Sequence, residues 1–421
     1  MRRPRREGNG TESTVLSGTL DDVAYLRTTR AIRQRSEFLY LRARRGESSA
    51  FSVHPLELER VADYVALVAR EQRPVAGEKI HGRMRHFDAG GKARIAMLDR
   101  RLACLPREER ARAKIDLIVP SVLLDAGAGD TWAFTEEGVR IPRSEGLAVA
   151  SLHWFLGGGL AGDGRSLRTD AEGLGRIDEE RIASAFQVSA DNLLVGVEGR
   201  AALLARLGQA LVSRPTLFGA EGRPGHLFDA LAERSDEGRV RAVEVLGLLL
   251  EGLSSIWPGR FAIAEQNLGD AWPHPALGDG TTAASVIPFH KLSQWLTYSL
   301  VEPLLEGGLE VTGLEELSGL SEYRSGGLLL DLGALRLLDP TEASRVHRAG
   351  DPLIVEWRAL TISLLDQLEP LARAKLGQAA EGPRSAGVFV GGTWAAGRKI
   401  AQEKRPGTGS PLLLESDGTV F

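Results

Sequence analysis

Apolar residues recur every three and four positions through much of the chain, in stretches that end at glycine or proline. In residues 19–45 they include Leu20, Val23 and Leu26, and residues 55–70 repeat the pattern after a proline. This spacing places the apolar side chains on one face of an α-helix. It predicts one long or two short helices in the first stretch and one helix in the second.

The same pattern sets the fold class. An Asp-Pro pair at 351–352 starts a helix that continues to about Leu376, and only residues 387–390 are typical of a strand. We therefore predict a mainly α protein with at most a short β element. Residues 1–15 are basic and polar, which predicts a disordered tail, and residues 16–421 predict a single large helical domain.

Composition and charge exclude some classes of binding partner and favour one cellular compartment. The net charge of -4 and the pI near 6.1 give no overall field for nucleic acid, so no nucleic-acid partner is expected. Cys104 is the only cysteine, which excludes an intrachain disulfide and favours the cytoplasm. No stretch reaches the roughly 18 uninterrupted apolar residues of a spanning helix, so no membrane association is expected. The sequence leaves open whether the protein forms a homodimer.

Ionisable and aromatic side chains cluster in residues 287–335, inside otherwise apolar helical sequence. Four of them lie within about one helical turn of each other: His290, Lys291, Gln294 and Trp295. Three more follow at a glycine-bounded turn: Glu322, Tyr323 and Arg324. Burying such groups costs free energy unless they pair or meet a polar ligand. Core ion pairs are the alternative, but we interpret the set as two walls of one pocket for a polar ligand.

Residues 114–134, KIDLIVPSVLLDAGAGDTWAF, contain a second candidate wall. An acidic residue, Asp125, precedes a Gly-Ala-Gly turn, which resembles the cofactor loop of S-adenosylmethionine-dependent methyltransferases. Against that interpretation, Pro120 interrupts the supposed strand and no alternation of strands and helices follows. The other interpretation is that Asp125 and Trp132 supply half of the cleft.

The segment 80–91, IHGRMRHFDAGG, is a candidate phosphate site before a helix predicted from about Lys92. Glycine-freed amides, a helix N-terminus and charge-assisted donors favour phosphate, and here the donors are Arg83, Arg85 and His86. A solvated loop is the alternative. A His-x4-His-x-Asp metal site in the same segment has no matching ligand cluster nearby, so no metal is expected.

Two further places carry candidate substrate contacts. Ser144 is predicted to cap a helix whose first turn contains Glu145. Glu198 and Arg200 lie near the start of a helix predicted over residues 195–211. Ordinary surface charge explains the Glu198 and Arg200 pair equally well, and the sequence leaves both interpretations open.

Seven blocks of the chain resemble those of the uracil catabolism protein four family, which occurs in fungi and bacteria. The blocks are HGRMRHFDAGG, PSVLLDAGAGDTWAF, RSEGLAVASL, NLLVGVEGRAALLARLG, PFHKLSQWLTYSLVEPL, GLSEYRSGGLLLDLGAL and VEWRALTISLLD. The resemblance spans nearly the whole chain. It implies a role in the uracil breakdown route that passes through the nucleotide and releases urea, beside a cyclohydrolase-like enzyme and a uracil phosphoribosyltransferase.

The order and spacing of the blocks is more remotely similar to the queuosine salvage family. Those helical N-glycosylases are related to DNA glycosylases, which implies a DNA-glycosylase-like helical core. The family's acid-containing block, aromatic-Lys block and acid-Tyr-Arg turn match Asp125, Lys291 and Glu322, which become the candidate catalytic residues. One position departs from the pattern, because Ser299 stands where that family has an aspartate eight residues after the lysine.

The implied activity is hydrolysis of an N-ribosidic bond through an oxocarbenium-like transition state, with no cofactor. The implied substrate is a ribosylated, 5-phosphorylated ureido or pyrimidine-derived compound. Glu322 or Asp125 would stabilise the cation or hold the attacking water. His290, or a carboxylate with a raised pKa, would protonate the leaving group.

The remaining candidates are expected to contact the substrate. Three aromatic residues would line the base or ureido side: Trp132, Trp295 and Tyr323. The loop 83–88, together with Arg200 or Arg324, would receive the phosphate. Besides the methyltransferase, the sequence leaves a noncatalytic nucleotide-binding or scaffold protein of the same pathway as an alternative.

Overall fold

The computed structural model describes residues 13–71, 82–129, 131–377, 392–405 and 409–415, and most of them are helical. The α-helices, numbered in chain order, are α1 Leu20–Leu26, α2 Thr29–Arg44, α3 Leu58–Glu71, α4 Arg83–Phe87, α5 Arg94–Leu102, α6 Arg107–Leu123, α7 Arg143–Leu156, α8 Ala171–Gly175, α9 Glu179–Ala185, α10 Val197–Ser213, α11 Pro215–Phe218, α12 Leu227–Arg234, α13 Ala242–Leu253, α14 Lys291–Gly307, α15 Tyr323–Asp331, α16 Pro352–Lys375 and α17 Thr393–Lys404. The mainly α prediction is confirmed. None of these helices is long and apolar enough to span a membrane.

Short strands lie in the segments outside the helices and pair some of these segments with one another. They are β1 Thr14–Leu16, β2 Phe51–Val53, β3 Ala133–Glu136, β4 Val139–Pro142, β5 Arg239–Arg241, β6 Phe261–Ile263, β7 Gln266–Asn267, β8 Ala271–Pro273, β9 Val286–Pro288, β10 Glu310–Thr312, β11 Leu335–Leu337, β12 Val346–His347 and β13 Leu413–Leu414. In the described residues they form one three-stranded sheet, β1-β6-β7, and five pairs, β10-β5, β11-β2, β12-β13, β3-β4 and β8-β9. The β content is therefore dispersed over small sheets, where the sequence predicts one short element.

Two expectations fall partly or wholly outside the described residues. The predicted strand at 387–390 lies outside them, and so do residues 1–12 of the predicted tail. Thr14 and Val15, which the sequence assigns to that tail, belong to β1, which runs parallel to β6. The fold thus includes the last residues of the basic segment.

One hydrophobic core extends from Ile32 in α2 to Leu412 near the C-terminal end of the described chain. In this core α16 packs against α2 and α3, α14 packs against α6, and α15 packs against α17. Both α14 and α16 are buried around most of their circumference. Their polar side chains therefore need partners inside the protein.

The buried helix α6 contains Pro120 in its interior. A proline has no backbone N–H, so the carbonyl of Asp116, four residues earlier, loses its helical donor. The Thr169 hydroxyl donates to that carbonyl at 2.7 Å and replaces the missing bond. This substitute donor lets the apolar run continue as a helix up to Leu123.

The helical state of α6 corrects the methyltransferase interpretation. That interpretation needs residues before Asp125 to form a strand and needs a parallel sheet to follow. The residues before Asp125 are helical instead, and the strands of the described chain after α6 have at most four residues each. The Gly-Ala-Gly turn follows a helix, so it lacks the strand context of a cofactor loop.

Two local predictions also differ from the structure. The predicted loop at 80–91 contains the short helix α4, and the helix predicted from Lys92 begins at Arg94. Ser144 does not cap α7, because that helix begins one residue earlier, at Arg143, after Pro142. The Ser144 hydroxyl is therefore available for a different contact.

Candidate active site

A cavity of about 450 Å³ lies where the C-terminal end of α6 meets the N-terminal ends of α7, α14 and α15. Asp125 directly after α6, Lys291 at the start of α14, and Glu322 before α15 all line it. The pocket hypothesis requires this convergence of three residues that are remote in sequence. Five residues of the segment 409–414 line a further part of the wall.

Asp125 is held in place by a buried arginine and a serine. Its Oδ1 accepts from the Ser144 hydroxyl at 2.6 Å and forms an ion pair with Arg83, whose Nη1 lies 2.8 Å away. Arg83 is itself fixed, because its Nε donates to Ser121 Oγ at 2.8 Å and its Nη2 to the Ser121 carbonyl at 2.9 Å. Both contacts are made to Oδ1, and Oδ2 accepts no hydrogen bond from the described residues.

Glu322 is the N-cap of α15. Its two carboxylate oxygens accept from the backbone N–H groups of Arg324 and Ser325, each at 2.6 Å. These amides and the positive end of the helix dipole favour a negative charge at this position. The carboxylate is therefore fixed in orientation at the cavity wall.

Lys291 opens α14 beside these two carboxylates. Burial lowers the pKa of its ammonium, and the charges of Asp125 and Glu322 oppose that shift. No side chain of the described residues lies within hydrogen-bonding distance of Nζ. The backbone N–H of Lys291 donates to Asp270 Oδ2 at 3.1 Å, which fixes the start of the helix.

Asp270 belongs to a buried ion pair behind the cavity. Arg358 Nη1 and Nη2 donate to its two oxygens at 2.7 Å each, and Trp272 Nε1 donates at 2.9 Å. Burial raises the pKa of the Asp270 carboxyl, but the Arg358 guanidinium and these hydrogen bonds outweigh it and hold the pKa well below its usual range. Arg358 also lies 4.0 Å from the centroid of the Phe289 ring. The pair is a rigid support for the start of α14.

Aromatic rings form one side of the cavity. The His86 ring contacts both Trp295 and Trp394, with centroid distances of 5.7 Å and 6.0 Å. His86 Nδ1 is 3.1 Å from Ser144 Oγ. His86 Nδ1 also lies 3.4 Å from Arg83 Nη1, so the ring is held by the same two residues that contact Asp125.

Two arginines and a tyrosine form another part of the cavity wall. Arg143, Tyr323 and Arg324 all line the cavity, and the Arg324 guanidinium lies 4.8 Å from the centroid of the Tyr323 ring. Burial raises the pKa of the Tyr323 hydroxyl, while the charges of Arg324 and Arg143 oppose that shift. Both guanidiniums are therefore within electrostatic reach of the phenol.

Two sequence-predicted residues on α14 face away from the cavity. His290 Nε2 lies 3.0 Å from the Leu26 carbonyl, and burial lowers the pKa of its ring. Gln294 donates to the Phe289 carbonyl at 3.0 Å and exchanges hydrogen bonds with Ser318. Both side chains are satisfied inside the core and are absent from the residues that line the cavity.

Trp132 and Arg200 also support the wall from behind. Trp132 is 1% exposed and donates from Nε1 to the Phe186 carbonyl at 2.9 Å. The buried Arg200 donates from Nη2 to the Ala126 carbonyl at 2.6 Å and so fixes the loop after Asp125. Neither residue lines the cavity.

The predicted phosphate loop does not present its cations to the cavity. Arg83 forms an ion pair with Asp125 and a hydrogen bond with Ser121. Arg85 is exposed and does not line the cavity. His86 alone lines it, as part of the aromatic wall. The expectation that Arg83 and Arg85 receive phosphate therefore has no support in the cavity geometry.

The two predicted acidic contacts lie outside the cavity as well. Glu145 forms an ion pair with Arg398, and Glu198 is exposed. Neither lines the cavity. Among the described residues, no group of three or more His, Cys, Asp or Glu side chains is arranged to hold a metal ion.

Five features of the site have no counterpart in the sequence predictions. They are Arg143, Ser144 as a partner of Asp125, the Asp270 support, Trp394 and the segment 409–414. The Arg-Ser pair at the start of α7 is visible in the sequence. A serine before an apolar run is typical of a helix cap, however, so the pattern does not indicate a site residue. The other features depend on contacts between segments far apart in the chain.

Two relatives and one family model match the chain over nearly its whole length. The family model, described as "Protein of unknown function (DUF1688)", matches residues 25–421 and so covers every residue that lines the cavity. The chain is similar to "Uracil catabolism protein 4" of Lachancea kluyveri, with 38% identity over 441 residues that cover 96% of this chain and 100% of that protein. It is also similar to "Protein urg3" of Schizosaccharomyces pombe, with 37% identity over 415 residues that cover 95% and 99%.

Proposed function

This chain belongs to the DUF1688 family, which confirms the resemblance predicted from its sequence, and we propose that it acts in uracil catabolism by hydrolysing an N-ribosidic bond. The proposed substrate is a ribosylated, 5-phosphorylated ureido or pyrimidine-derived compound, such as ribosylurea 5-phosphate. The place in uracil catabolism is supported by the name of the Lachancea kluyveri relative. The reaction type is supported by the groups that line the cavity.

The convergence of Asp125, Lys291 and Glu322 on one cavity carries the proposal. Cleavage of an N-ribosidic bond builds positive charge at C1′ and on the ring oxygen. It needs a fixed negative charge near that centre, a group that orients water, and a donor for the leaving nitrogen. The three residues supply one group of each kind.

The hydrogen bonds distinguish the two carboxylates. Both oxygens of Glu322 are fixed by backbone amides, so it is suited to stabilise the oxocarbenium ion without moving. Ser144 and Arg83 both contact Asp125 at Oδ1, which leaves Oδ2 to hold and deprotonate a water. In the proposed step the water oxygen bonds to C1′, the C1′–N bond breaks, and the water proton passes to Asp125.

Lys291 is the proposed acid. The departing nitrogen takes a proton from Nζ, and burial lowers the pKa of that ammonium toward the range in which an acid is effective. His290, the sequence candidate for this step, contacts the Leu26 carbonyl outside the cavity. The aromatic wall of His86, Trp295 and Trp394 offers a surface on which a planar ureido or pyrimidine group can stack.

Turnover of candidate substrates tests the proposal. Purified protein is incubated with ribosylurea 5-phosphate, ribosylurea, uridine and uridine 5-phosphate, and released urea, uracil and sugar are quantified. Release of urea together with a free sugar is expected. Binding of these compounds without any release, by protein with intact helical circular dichroism, would favour the noncatalytic alternative and reject the hydrolase.

Variants of the carboxylates sharpen this test. Glu322→Gln and Asp125→Asn keep size and shape but remove the charge, and each is expected to lower kcat by about 10²-fold or more, as loss of an electrostatic or general-base group does. Glu180→Gln, an exposed change in the first turn of α9, is the matched control and is expected to keep wild-type turnover. Wild-type rates in both cavity variants would contradict the assigned roles.

A further inference from the structure

The strongest unexplained feature of the cavity is Arg324. It is 4% exposed, lines the cavity, and its buried Nη1 has no hydrogen-bond partner in the described part of the chain. A buried charged donor without a partner is unfavourable, so such groups in native proteins point to a ligand or another role. The cation contact with the Tyr323 ring does not satisfy Nη1.

A second guanidinium reaches the same place. Arg143 begins α7 with a φ of +59°, a left-handed conformation that non-glycine residues rarely adopt, and its side chain lines the cavity. Its charge acts on the Tyr323 hydroxyl, as that of Arg324 does. Two guanidiniums and one phenol therefore meet on one side of the cavity.

The described lining of the cavity carries charges of both signs. Three cations, Arg143, Lys291 and Arg324, and two carboxylates, Asp125 and Glu322, belong to it. Asp125 is paired with Arg83, which lies outside the described lining. Arg324 Nη1 is a buried cationic donor without a partner among the described residues, and an anionic ligand would supply one.

The arginines are grouped around Tyr323. The Arg324 guanidinium lies 4.8 Å from the centroid of the Tyr323 ring, and the charge of Arg143 also acts on the Tyr323 hydroxyl. A single anionic group at this part of the wall would therefore meet both guanidiniums and the phenol.

We propose that Arg143, Tyr323 and Arg324 form a phosphate subsite that binds the 5-phosphate of the ribosyl substrate and makes the phosphomonoester the preferred substrate. Guanidinium groups match phosphate oxygens with paired donors, and a phenol adds a third donor. The ribosyl part of this assignment rests on the proposed function. The subsite replaces the sequence-predicted loop at residues 83–88.

Binding of two sugars measures the subsite without turnover. Affinities for ribose 5-phosphate and ribose are determined by titration calorimetry. The wild-type protein is expected to prefer ribose 5-phosphate, and Arg324→Gln to weaken its binding by about 10- to 100-fold, as loss of a charge-assisted hydrogen bond does. Tyr323→Phe, which removes one hydroxyl, is expected to cause a smaller loss. In both variants, affinity for ribose is expected to change less than affinity for ribose 5-phosphate.

Controls separate the subsite from general effects of charge and folding. Arg100→Gln removes an exposed arginine in the last turn of α5 and is expected to bind like the wild type. Arg324→Lys keeps the charge and is expected to recover part of the affinity. Arg143→Gln tests the same subsite should Arg324→Gln fail to fold. Equal binding of the two sugars by the wild type, or an unchanged preference in Arg324→Gln and Arg143→Gln, would overturn the subsite.

Turnover then distinguishes the two proposals. Phosphate preference that depends on Arg324, without release of urea, keeps the subsite and rejects the hydrolase. Equal kcat/KM for ribosylurea and ribosylurea 5-phosphate keeps the hydrolase and rejects the subsite. A higher kcat/KM for the phosphorylated compound than for ribosylurea, with a ratio of the two that Arg324→Gln reduces, supports both.

Discussion

At the scale of single residues, Lys291 is central to the proposed reaction, because its ammonium is buried beside two carboxylates. Burial lowers its pKa, so the proton is more readily released inside the cavity than from an exposed lysine. If Lys291 is the acid, only the protonated form is active. Turnover is therefore expected to fall as pH rises through the pKa of Lys291 in the folded protein, and to do so below the ordinary range of lysine.

The variant Lys291→Arg separates this acid role from simple charge. Arginine keeps the positive charge and does not lose its proton in the accessible pH range. We expect kcat to fall by about 10²-fold or more and the alkaline decline of kcat to disappear. The pH profile of kcat is the measurement. A profile identical to that of the wild type would exclude Lys291 as the group that titrates.

The start of α14 shows what the sequence can determine about single residues. Lys291 and Trp295 lie four positions apart on one face of the helix and line the cavity, whereas His290 and Gln294 have the same spacing on the adjacent face and are bonded inside the core. Helical spacing identifies which residues share a face, but not which face meets the cavity. The sequence therefore predicts that these residues lie close together, but not which of them line the cavity.

At the scale of elements, helix α6 depends on a hydrogen-bond donor from another part of the chain. The Thr169 hydroxyl replaces the N–H that Pro120 lacks, at the carbonyl of Asp116. Thr169→Val removes the hydroxyl at nearly constant volume and leaves that buried carbonyl unsatisfied. We expect the free energy of unfolding to fall by about 1–3 kcal/mol, measured by urea denaturation. Thr169→Ser keeps a hydroxyl and is the matched control.

A double-mutant cycle identifies the physical cause of that loss. Pro120→Ala restores a backbone N–H that can donate to the Asp116 carbonyl within the helix. In this background Thr169→Val is expected to cost clearly less than in the wild type. An equal cost in both backgrounds would mean that Thr169 stabilises the protein in some way other than by replacing the helical donor.

The same helix explains why one element was ambiguous from the sequence. The run before Asp125 is apolar on all sides and contains a proline, so periodicity does not separate a buried helix from a buried strand. The amphipathic stretches that became α1, α2 and α3 have one polar face, and their spacing is unambiguous. Tertiary contacts, here Thr169 on Asp116, decide the state of the buried run.

At the scale of the whole molecule, the cavity is closed by segments from both halves of the chain. Asp125 and Ser144 approach from the first half, Lys291 and Glu322 from the second, and Trp394 with residues 409–414 completes the wall. The last two have no periodic pattern that marks them as part of a site. Their contribution follows from the packing of α17 on α15 and from the pairing of β13 with β12, which no local sequence feature predicts.

The segment 409–415 is therefore expected to act mainly on ligand binding. It is tied down by the buried Leu412, by the β12-β13 pair, and by the bond from the Glu415 N–H to the His347 carbonyl at 2.9 Å. A chain that ends at Arg405 opens the cavity on this side and exposes the core around Leu412, which we expect to cost about 2 kcal/mol of unfolding free energy. It is expected to bind ribose 5-phosphate about tenfold more weakly, equivalent to about 1.4 kcal/mol. A chain that ends at Glu415 keeps the segment and is the matched control, so equal affinities in calorimetry would show that the segment does not form a functional wall.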